Sequence, residues 1–164
     1  MVPMELLGVR VEMPANTPVV VLRKRDDRNR VLPILIGGPE ASAIHTALEG
    51  LTPPRPLTHD LTVTLVERLG ASVARVVITE VRDHTFYAEL HLVTATGESV
   101  VSCRPSDAIA LAVRVDAPIF ADEGLLDEAA VELPVDADEG EEAETLLDEF
   151  RDFLDDITPD DFAS

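Results

Sequence analysis

Two stretches of this chain set an Arg-Pro pair ahead of a helix start that carries an Asp in its opening turn: Arg55-Pro56-Leu57-Thr58-His59-Asp60 and Arg104-Pro105-Ser106-Asp107. In the second, a β-branched strand from Ser99 to Arg104 gives way at Pro105 to an alanine-rich apolar run with helical spacing. Ser106 has the chemistry of an N-cap, and Asp107 puts negative charge where the helix dipole favours it. Arg104 then stands at the strand end beside exposed backbone donors, a combination that can hold a phosphate or a carboxylate. A capped helix whose Arg merely pairs with Asp107 satisfies the same residues, and the sequence leaves both readings open. In the first stretch, Pro53, Pro54 and Pro56 hold Arg55 on a stiff extended loop. Thr58 reads as the cap there, with His59 and Asp60 in the first turn. The echo between the stretches suggests a duplicated strand-to-helix unit.

The elements that must position these residues follow from periodicity. Residues 4–12, Pro18–Arg23 and Val31–Ile36 read as strands, the second an unbroken Val-Leu run suited to a sheet interior, the third placed at an edge or bulge by Pro33. Between them, Lys24 to Arg30 is the most cationic segment of the chain and reads as a hairpin tip. Gly37-Gly38-Pro39-Glu40 opens a first helix, with proline at its first position and Glu40 on the dipole; Gly50 is its stop. His45 lies five residues from Glu40, on a different face, so the two make no helical metal motif. Leu61, Leu65 and Leu69, widened by Val66, give the second helix an apolar stripe of the kind that faces a core. Val73–Val81, Phe86–Thr94 and Ser99–Arg104 form a meander in which His84 and His91 read as surface residues, and residues 117–121 form a last short strand. The fold class is α+β: an antiparallel or mixed sheet of about seven strands with three short helices packed on it, plus an acidic C-terminal helix.

Charge divides the chain in two. The net charge is −19 over 164 residues, of which residues 1–121 carry −2 and residues 122–164 carry −17. Residues 1–126 therefore read as one domain and residues 127–164 as an acidic linker and an amphipathic helix, with Leu146, Leu147, Phe150, Phe153, Leu154 and Ile157 on its oily side. A low isoelectric point set by the tail does not argue against nucleic-acid binding by the domain. Aromatic residues are 4% and Trp is absent, which leaves little material for a stacking ladder. The single Cys103 excludes an intramolecular disulfide and a cysteine metal cage. With no apolar run of about 20 residues, no membrane span is expected, and the composition suggests a soluble cytoplasmic protein.

The segments Leu32-Pro33-Ile34-Leu35-Ile36-Gly37, Glu40-Ala41, Pro54-Arg55-Pro56-Leu57-Thr58-His59-Asp60-Leu61 and Arg104-Pro105-Ser106-Asp107-Ala108-Ile109-Ala110-Leu111 together resemble the bifunctional nuclease domain family, in order and approximate spacing over residues 4–126. The resemblance implies DNase and RNase activity, with DNA and RNA as partners and little sequence specificity. Phosphodiester hydrolysis needs an activated water, charge neutralisation at phosphorus and help for the leaving oxygen. The chemistry of the residues suggests His59 as base or acid, Arg104 as the neutralising cation, Asp60 and Asp107 as further catalytic groups, and Arg55 and Ser106 as substrate contacts. Glu40, Asp60 and Asp107 can bind a hard divalent ion, Mg2+ or Mn2+, through oxygen. All of this requires the openings of the three helices to converge. A homo-oligomer, with a dimer as the simplest case, is expected, and the acidic tail is expected to dock on its own domain or on a protein partner, where it would compete with nucleic acid. The alternative from a different class is a non-catalytic interaction or regulatory module that binds a protein or small anionic ligand at an Arg55/Arg104 cleft.

Overall fold

The computed structural model describes residues 1–132, the side chain of Arg28 excepted. The acidic linker and the amphipathic helix expected over Glu141–Ile157 lie outside the described residues, and so does any docking by them. Strands β1 (Val2–Glu12), β2 (Thr17–Lys24) and β3 (Asp27–Leu35) are followed by helices α1 (Gly38–Leu48) and α2 (Thr58–Arg68). The meander β4 (Ser72–Arg82), β5 (Thr85–Thr94) and β6 (Gly97–Cys103) leads into α3 (Pro105–Val115). Then come β7 (Ile119–Ala121), α4 (Glu123–Ala129) and β8 (Val131–Glu132).

The strands form one mixed sheet in the order β6-β5-β4-β7-β1-β2-β3-β8, antiparallel except for the parallel pair β4 and β7. It has eight strands where about seven are expected from the sequence. The addition is β8, two residues that pair Val131 with Val31 and Glu132 with Arg30. A fourth helix, α4, is likewise additional, and the boundary expected near Leu126 falls inside it. The pairing with β8 reaches only as far along β3 as Val31, so Pro33 lies where β3 has become an edge, as its missing N–H requires. β2 shows why its Val-Leu run is continuous. Val20 and Leu22 enter the main core under the helices, while Val19 and Val21 join Val31 in a second, smaller core on the other face.

The helices cover one face of the sheet. α3 is the central one, buried from Pro105 through Leu111 and Ala112 except at Asp107, and it packs on β4 and β5. α1 lies over β1 and β2 and against α3, and α2 packs chiefly on α3. No helix among the described residues is long and apolar enough to cross a membrane.

Three local expectations are corrected. The leucine stripe of α2 does not face the core: Leu61, Leu65 and Leu69 are between 51% and 84% exposed, and α2 has no fully buried residue. The reason is the pair His59 and Asp60, whose side chains bond to α3; with Val63 they define the inward face and turn the leucines, at i±4 spacing from one another, toward water. Ser106 and Thr58 are not N-caps. Arg104 and Leu57 occupy those positions, because Pro105 takes the first helical place, where lacking an N–H costs nothing, and because Asp60 accepts from the Leu57 N–H at 2.8 Å. His91 is not a surface residue either. It is buried between Arg75 and Glu98 on the sheet face opposite the helices, its Nδ1 2.8 Å from Glu98.

Candidate active site

The helix openings do converge, and the point of convergence is Arg104. Its backbone leaves β6 extended at φ −72°, ψ 144° and hands over to α3, which directs the side chain across the mouths of α1 and α3. Nε lies 2.7 Å from Asp107 Oδ2 and Nη2 lies 3.0 Å from Oδ1, a two-pronged fork, while Nη1 reaches Glu40 Oε1 at 3.0 Å. Asp107 Oδ1 is also 3.1 Å from Nε2 of His59. Glu40 of α1, Arg104 and Asp107 at the start of α3, and His59 of α2 therefore form one connected chain. Gly37 belongs to this geometry, since a Cβ there would collide with the Glu40 carboxylate that folds back over it.

Electrostatics follow from the bonds. Burial works to raise the pKa of Asp107, but hydrogen bonds from Arg104 and His59 outweigh it and hold the carboxyl below its ordinary value. The Asp107 bond raises the pKa of Arg104 further, with burial opposing it and Glu40 adding to it. An ionised Asp107 can only accept, so His59 Nε2 carries the proton of their bond, and in the neutral imidazole Nδ1 is then left with a lone pair. Asp107 is thus a positioning group for an imidazole whose other nitrogen can take a proton. Cys103, one residue before Arg104, is not a competing nucleophile: burial, then the nearby Asp107 charge, pushes its thiol up to about 11.

Asp60 stands apart from this chain. Its Oδ1 accepts from Arg114 Nε at 2.6 Å and its Oδ2 from the Leu57 N–H, and chiefly the Arg114 bond lowers its pKa. Arg114 is 8% exposed and also donates from Nη1 to the carbonyls of Ala43 and Ala110. It is a buried structural cation that the sequence reading does not single out; the signal for it is a single charge inside the otherwise apolar run Ala108–Val115. Arg55 is exposed on the proline loop and has no hydrogen-bond or ion-pair partner among the described residues. The ligand set Glu40, Asp60 and Asp107 does not form: one guanidinium engages Glu40 and Asp107, and another engages Asp60. Among the described residues no group of three or more His, Cys, Asp or Glu side chains is placed to hold a metal ion.

On its other side, Arg104 borders a cleft of about 610 Å³. The walls are Pro33–Gly37 at the end of β3, the hairpin tip from Val81 to Phe86, the start of α3, and Glu128–Ala129 of α4. At the tip, Asp83 and His84 both take positive φ, 47° and 59°, the backbone that a two-residue hairpin requires. Ser106 is in the wall, 6% exposed, and its hydroxyl makes no hydrogen bond within the described residues. Of the residues singled out in the sequence, the structure thus joins Glu40, His59, Arg104 and Asp107, sets Ser106 beside them, and leaves Asp60 and Arg55 outside.

Residues 20–134 match the model of the bifunctional nuclease domain. An uncharacterized protein of Mycobacterium tuberculosis is 44% identical over 162 residues, 96% of this chain and 95% of that protein. Bifunctional nuclease 1 of Oryza sativa subsp. indica is 30% identical over 114 residues, 68% of this chain and 34% of its own length. Bifunctional nuclease 1 of Arabidopsis thaliana is 31% identical over 108 residues, 64% of this chain and 33% of its own length. With more than half of its length matched by that domain model, the chain belongs to the bifunctional nuclease domain family.

Proposed function

We propose that this chain is a nuclease that hydrolyses phosphodiester bonds in DNA and RNA with little sequence preference. The observation that carries the reading is the connected Arg104–Asp107–His59 arrangement, a half-free guanidinium beside an oriented imidazole at a helix mouth. Arg104 is 64% exposed at its side chain, so it can meet a strand phosphate while Asp107 and Glu40 hold it from behind. His59, oriented by Asp107, takes the proton of the attacking water at Nδ1. Non-selective cleavage fits contacts made to the backbone, since phosphate contacts carry no sequence information. Glu40, Asp60 and Asp107, the carboxylates that would hold Mg2+ or Mn2+, are each engaged by an arginine.

The test is cleavage of labelled single- and double-stranded DNA and RNA by purified full-length protein, in EDTA and with each ion added. His59→Ala and Arg104→Ala are expected to remove cleavage while the thermal melt stays cooperative. Cleavage that persists in both variants would overturn the reading. Metal-dependent cleavage that disappears in Glu40→Gln, with a divalent ion shown to bind, would return the carboxylates to a ligand role. A second reading has one observation in its favour: every carboxylate of the cluster is already satisfied, which suits a non-catalytic module that holds an anion at Arg104. Strand binding without turnover under all conditions would select it.

A further inference from the structure

We propose that the cleft beside Arg104 is a pocket for one nucleoside phosphate unit, with the base against the apolar walls and the phosphate on Arg104, the Ser106 hydroxyl and the first turn of α3. The inference deepens the nuclease reading and rests on it only for the class of ligand.

Four observations lead to it. The cleft holds about 610 Å³, within the ~300–1,000 Å³ range of sites that enclose small ligands. Its apolar walls come from Ile34, Ile36, Val81, Phe86, Pro105 and Ala129, enough to sandwich a flat heterocycle without a stacking ladder. Ser106 is the decisive residue: a hydroxyl on a side chain more than nine-tenths buried, with no partner among the described residues, in the wall of a cavity. It lies in the first turn of α3, an eleven-residue helix whose opening favours negative charge, next to a guanidinium that also lines the cleft. Finally, the remaining polar groups are of the kind a base edge needs. Glu128 and Asp83 can accept from exocyclic amines, and His84 and Thr85 can donate. Free phosphate would leave the apolar walls empty.

The experiment uses the full-length, ¹⁵N-labelled chain, titrated with each of the four deoxynucleoside 5′-monophosphates and, separately, with inorganic phosphate. Amide shifts concentrated at Gly37, Thr85, Ser106 and Ala129 are expected, with phosphate alone binding at least tenfold more weakly than the best nucleotide. Ser106→Ala and the cavity-filling Ala129→Leu should each weaken nucleotide binding about tenfold. Leu65→Ala, on the exposed side of α2 and away from the cleft, should leave binding unchanged. Shifts centred elsewhere, or phosphate binding as tightly as every nucleotide, would overturn the proposal. Nucleotide binding at the cleft of a protein that cleaves nothing would sink the nuclease reading and keep this one. Cleavage by a protein whose cleft takes no nucleotide would do the reverse.

Discussion

Replacing Arg104 by lysine separates a catalytic guanidinium from a structural one, and the structure sets both magnitudes. Arg104 makes three bonds to two carboxylates, but its side chain is 64% exposed, so solvent screens them. Exposed pairs contribute roughly 0.2–1 kcal/mol each, and a shared network of two comes to about 1 kcal/mol of folding stability. Lysine keeps the charge and loses the fork, and so retains part even of that. The reaction is far more demanding. A charge-assisted hydrogen bond to the transferring phosphate is worth about 2–3 kcal/mol in the transition state, or roughly 30- to 160-fold in rate. Arg104→Lys should therefore shift the urea midpoint little while cutting kcat/KM for a fluorogenic oligonucleotide by that factor, and Arg104→Ala should cut it further. A fall below about fivefold, or one that tracks the fraction of unfolded protein, would refute the assignment.

Other consequences are as direct. Arg114→Met and Asp60→Asn break one partly buried bond from either side, so their double-mutant cycle in urea should show a coupling of about 1.5–3 kcal/mol; additive effects would contradict it. Asp60 and Asp107 both ionise below their ordinary value of 3.8 in the folded chain. Between the folded and unfolded pKa values the unfolded chain holds more protons, so the stability they contribute is whole above the ordinary range and is lost as pH falls through 3.8 and the folded values beneath it. Urea midpoints from pH 6 to pH 3 should fall, and fall less steeply in Asp60→Asn; parallel curves would count against the bond. Leu65→Ala, on the exposed stripe, should change stability by less than about 0.5 kcal/mol, whereas Ile109→Ala, fully buried, should cost about 2–5 kcal/mol. Similar costs would place the stripe in an interior.

Residue pattern alone reaches most of the sheet and the heart of the site. The Val19–Leu22 run reads as interior because both faces of β2 are buried, and the hairpin over residues 82–85 is legible from two β-branched runs around a polar gap. The Arg104–Asp107 pair is legible because three residues across a helix start put the two side chains within reach. What periodicity cannot see is which side of a helix its neighbours will hold. In α2 the leucines carry the stronger apolar signal, yet two polar bonds made 48 and 54 residues away in sequence decide the rotation. Arg114 escaped for the same reason, its partners being on three helices. Ser106 reads as a cap in the sequence, whereas proline at the first helical position moves the start one residue earlier. β8 was missed because two residues are too short to show any period.

Arg114 ties the helical layer into a single knot: from inside α3 it holds the Asp60 carboxylate of α2, the Ala43 carbonyl of α1 and the Ala110 carbonyl of its own helix. Lifting away α1 or α2 strands a sheltered cation without one of its acceptors, so neither helix has an inexpensive way to open by itself. Hydrogen–deuterium exchange should then find the amides of α2, though that helix buries no residue, protected nearly as well as those of α3, and the three helices exchanging as one cooperative unit.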